Sequence, residues 1–158
     1  MAVPPARDAS FTVFSQRPDA RVDVGEWARH AERFFATRVT EEGAPDHEPG
    51  ASVARVRLAP LREKPGAPAA SGARVCWGRA RDEGDLAGAR SADAAGAGLA
   101  ELAGRCPHVW LVETDERADD DVVALRLAAV LAGVMLGPIL SPRGALFGPK
   151  TARVRLGV

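Results

Sequence analysis

Tyrosine is absent from this 158-residue chain, and cysteine, lysine and net charge are nearly so. Two cysteines, Cys76 and Cys106, are too few to staple a disulfide scaffold and read as reduced thiols. With 21 basic and 21 acidic residues the formal charge is zero, which excludes a globally basic nucleic-acid binder. Lys64 and Lys150 are the only lysines; arginine supplies the other cations, a bias typical of GC-rich coding and no sign of function by itself. Met1 to Asp8 lacks the apolar run of a signal peptide, so a cytoplasmic location is expected. Val122 to Leu140 has Arg126 as its only charge, but Gly133, Gly137 and Pro138 interrupt it. A membrane span needs about 20 apolar residues, and this segment is read as a buried core helix.

What is present is patterned. Ser10–Ser15 is rich in β-formers and reads as a strand. Asp23 and Glu26 mark a capped helix start, and Trp27, Ala31, Phe34 and Phe35 form an apolar stripe reaching about Arg38. Residues 52–58 alternate, with Ala54, Val56 and Leu58 opposite Arg55 and Arg57; residues 74–79 place Val75 and Trp77 on one face. These two strands predict a hairpin across a Pro/Ala/Gly-rich loop at 60–72, expected to be flexible like residues 1–9. Ser91 caps a second helix through Ala95, Leu99 and Leu102 to Gly104. His108–Glu113 has the continuous apolar centre of a covered strand. Asp119, Asp120 and Asp121 open a third helix, and 151–158 alternate like a final strand.

Strand, helix, strand, strand, helix, strand through residue 115 predicts an α+β fold in one domain, 1–158. The expected form is a ferredoxin-like β-α-β-β-α-β core: an antiparallel or mixed sheet, helices on one face, then a C-terminal helix and strand. The expected core includes Trp27, Phe34, Phe35, Trp77, Val109, Leu111, Leu125 and Val130.

Charge falls in blocks. Residues 41–50 carry four acids and no base; 51–81 carry seven bases and one acid. Residues 82–121 hold eleven acids against three bases, and 122–158 hold five bases and no acid. Blocks of opposite sign that meet in the fold neutralise one another.

No catalytic set assembles from this pattern. Asp46-His47-Glu48 lies between prolines without a second cluster at zinc spacing, and His30 has no matched nucleophile. His108, beside Pro107, reads as packing. Gly144–Thr151 departs from a phosphate cradle at Pro149 and in its glycine spacing. A non-enzymatic protein–protein interaction module is therefore expected, as an adaptor, inhibitor or immunity-type protein would be, with no cofactor. Its surface is assigned to Arg55, Arg57, Arg74, Arg79 and Arg81. The alternative is a small enzyme using Glu113, Asp115 and Asp119, oxygen ligands suited to Mg²⁺. A third reading, nucleic acid on the basic hairpin, is disfavoured because Arg55 and Arg57 have no aromatic on their face and Trp77 is expected to point into the core.

Overall fold

The computed structural model describes residues 4–43, 52–62, 71–93, 96, 98–115 and 119–158. The chain is α+β. After a 3-10 turn at Arg7–Ala9 come β1 (Ser10–Ser15), α1 (Val24–Phe35), β2 (Thr37–Gly43), β3 (Ser52–Pro60) and β4 (Gly72–Ala80). Then follow α2 (Glu83–Ala92), α3 (Leu99–Gly104), β5 (His108–Glu113) and α4 (Val122–Met135). The two-residue strands β6 (Ile139–Leu140) and β7 (Leu146–Phe147) lead into α5 (Pro149–Leu156).

The strands form one sheet in the order β2-β3-β4-β5-β1-β6-β7. Every pairing is antiparallel. The expected hairpin is there, with Val53 opposite Trp77 and Arg55 opposite Val75; its loop residues 63–70 lie outside those described, as do residues 1–3. The ferredoxin-like arrangement is not confirmed, because β1 is flanked by β5 and β6 and no described pair is parallel.

Helices cover both faces. Phe11, Val13, Ala54, Val56, Leu58, Cys76, Trp110 and Val112 pack with α1 and α4 on one side. On the other, Phe14, Val109 and Leu140 pack with Leu86 and Ala89 of α2 and Ala103 of α3. Ten of the fourteen residues of α4 are buried, the signature of a helix that is apolar all round. It is the expected core helix, and among the described residues no helix is long and apolar enough to cross a membrane.

Three elements differ from the sequence expectation, each for a local reason. The first helix ends at Phe35, where Ala36 turns left-handed at φ 47°, and β-branched Thr37, Val39 and Thr40 continue as β2. The helix expected from Ser91 is two helices. A capping box, Asp82 with Asp85, starts α2 nine residues earlier, and Ser91 lies inside the helix. Gly96 and Gly98, at φ 67° and 90°, then separate α2 from α3, and Ala95 lies outside the described residues. The expected last strand, 151–158, is α5: Pro149 sits at its first turn, where a missing N–H costs nothing.

Candidate functional site

The five hairpin arginines do not form one surface. Arg74 donates from Nε and Nη2 to the Asp121 carboxylate at 3.1 and 2.9 Å, and pairs with Asp115 at 3.0 Å. Arg79 grips Asp85 with both terminal nitrogens, at 2.6 and 2.9 Å, from the opposite face of β4. Arg81 donates to the carbonyls of Ala103, Gly104 and Cys106, which satisfies the end of α3. Arg57 pairs with Glu42. Arg55 is exposed, and its field helps to hold the Glu42 carboxyl below its ordinary value, behind the hydrogen bond from Arg57.

Trp77 corrects one expectation. The register that pairs Val53 with Trp77 puts its indole on the face of Arg55 and Arg57, not in the core beneath α4. It is half-buried there, so the absence of an aromatic on that face no longer argues against nucleic acid.

The acidic run is dispersed. Glu113 is exposed at the end of β5, and Asp115 turns back to Arg74. Asp119 accepts from Ser141 Oγ at 2.7 Å and from the Arg143 amide at 3.0 Å, which ties it to the β6–β7 turn. No group of three or more metal-ligating side chains converges among the described residues. Asp46, His47, Glu48 and Glu116 lie outside them.

A different site emerges where α1 and α5 straddle α4. There a cleft of about 450 Å³ is walled by Phe34, Phe35, Val154 and Val158, with Ala129 and Gly133 of α4 among its lining. The apolar stripe of α1 builds one wall, though Phe34, expected in the core, is 39% exposed. Its neighbour Phe35 is buried and carries the Arg153 guanidinium over its ring at 5.7 Å. Gly133 leaves room for the His30 ring, which a Cβ there would displace and which packs on Phe34 with centroids 4.7 Å apart. Burial lowers the His30 pKa, Arg153 lowers it further, and Glu26 opposes both, so the ring is neutral at pH 7.

Lys150 and Arg153 are the charged side chains of the lining, and no aspartate or glutamate belongs to it. Arg153 Nε is buried without a hydrogen-bond partner. A second hollow of about 430 Å³ shares His30, Phe34 and Gly133 with the first and extends it past Arg29 and Arg33. The two adjoin along these shared residues and together make up a trough over α4. Sequence reasoning missed this site, but a signal existed: residues 122–158 hold five bases and no acid. Lys150 and Arg153 come from that unmatched block. Comparison with protein-family models, with curated proteins and with solved structures finds no match for the chain.

Proposed function

We propose that the chain is a non-enzymatic protein-interaction module and that the cleft between α1 and α5 is its contact surface. One observation carries this reading. Of the five large apolar side chains exposed among the described residues, Phe34, Val154 and Val158 line this single cleft. Isolated exposed apolar residues are ordinary, whereas contiguous ones mark a binding surface. The lining offers no serine, cysteine, aspartate or glutamate side chain to act as nucleophile or general base beside His30. Binding without turnover fits that composition. The hairpin arginines fit less well as a docking surface, because Arg74, Arg79 and Arg81 are committed to Asp121, Asp85 and helix carbonyls.

A photo-crosslinking side chain at Val154 or Phe34 of the full chain, in lysate of the native cells, tests the proposal. A discrete adduct with one protein, competed by the parent chain but not by Val154→Glu, is expected. Adducts formed only from position 55, or none from 34 and 154, would reject it.

A further inference from the structure

We infer that the trough over α4 receives an acidic amphipathic helix of the partner protein, a refinement that rests on the interaction reading above. Charge decides the sign of the occupant. The trough is bordered by Lys150 and Arg153 on the α5 side and by Arg29, Arg33 and Arg17 on the other. Against these stands one acidic side chain, Glu26, already paired with Arg17 at 2.7 Å. Among the described residues, Arg29, Arg33, Lys150 and Arg153 make no ion pair. The contrast with the hairpin is direct, since there four of five guanidinium groups are satisfied internally. Arg33 and Arg153 lie over the rings of Phe34 and Phe35, at 5.2 and 5.7 Å, so cation and apolar surface are presented side by side. A partner must answer both.

Backbone chemistry decides the form of the occupant. Apart from Val158, whose amide donates to Arg153 O, the walls and floor named above lie on helices, whose main-chain groups are spent on their own hydrogen bonds. An extended peptide would find no strand edge to join and would bury unpaired N–H and C=O groups. A helix brings its main chain already satisfied and offers apolar anchors at i, i+3, i+4 and i+7. Its carboxylates, flanking those anchors, would reach the unpaired cations on both rims.

The full chain would be titrated with three fluorescent peptides: a designed amphipathic helix with glutamate flanks, its lysine-flanked counterpart, and the acidic sequence with a central proline. The acidic helix should bind at least about tenfold more tightly than either control, and weaken as salt screens the rims. Lys150→Glu with Arg153→Glu should reverse the preference, and Val154→Glu should abolish binding by all three; circular dichroism confirms that each variant is folded. Equal binding of acidic and basic helices, no binding of the acidic helix, or binding insensitive to these variants would overturn the inference. Mass spectrometry of the Val154 adduct separates the two levels. An adduct on a basic or strand segment sinks the acidic helix yet leaves the interaction module standing; no adduct sinks both.

Discussion

Leu136 holds a backbone conformation its side chain opposes. It ends α4 at φ 59° and is 64% exposed, so the leucine gains little contact in return. Its amide donates to Ala132 O, and its carbonyl accepts from Gln16 Nε2, bonds that any residue retains. Glycine enters this region without the Cβ penalty. Leu136→Gly should therefore stabilise the chain by about 1 kcal/mol, seen as a higher urea midpoint at unchanged slope. A lower midpoint would mean that the exposed leucine contributes packing worth more than the strain. Gly133 is the opposite case. It is helical and its value is space, since a Cβ would strike His30; Gly133→Ala should displace the ring and alter the cleft while α4 stays helical.

Asp121 joins three elements, and its replacement separates two contributions. As the N-cap of α4 it accepts from the Ala124 amide at 3.0 Å; it also accepts from the Asp115 amide and holds Arg74 of β4. Asp121→Ala removes the cap and leaves a mostly buried guanidinium facing Asp115 alone, a loss of about 3 kcal/mol. Asp121→Asn keeps an acceptor for the cap and should recover about 1 kcal/mol of that loss. Equal losses in the two variants would show that charge alone matters. The helix start at Asp121 was legible because acids cluster immediately before a strongly apolar segment. The tie to Arg74 was not, because its partner lies 47 positions away and spacing carries no pairing information. The same limit explains α5. Val154 and Leu156 alternate with arginines over too few residues to separate period 2 from one face of a short helix, and Pro149 was the better signal. Strands β1, β3, β4 and β5 were legible from β-branched and alternating runs, but the sheet order was not. It depends on which edges meet, and β2, unread in the sequence, supplies one of them.

Across the whole molecule, charge blocks that are separate in sequence become ties between elements. Glu42 meets Arg57, Asp85 meets Arg79 and Arg7, and Asp121 meets Arg74. Burial alone would raise the pKa of Asp85 and of Asp121. Hydrogen bonds from Arg79, the Asp82 amide and Arg7 to the first, and from Arg74 and the Asp115 and Ala124 amides to the second, hold both below the ordinary value. An unfolded aspartate titrates near about 3.9 and so binds protons before these two do. Their stabilisation is fully present above that value and is lost as pH falls through the lower folded values. His30 adds an earlier step of the same sign. Its folded pKa is lowered while the unfolded ring protonates near about 6.5, so acidification first favours the unfolded chain there. Urea midpoints should accordingly decline in two stages, a shallow one beginning near pH ~6.5 and a steep one below pH ~4. His30→Gln should erase the first stage alone, and Asp85→Asn should flatten the second while lowering the midpoint at neutral pH. A single decline, unchanged by His30→Gln, would show that the cleft imidazole is as free to take a proton in the folded chain as in the unfolded one.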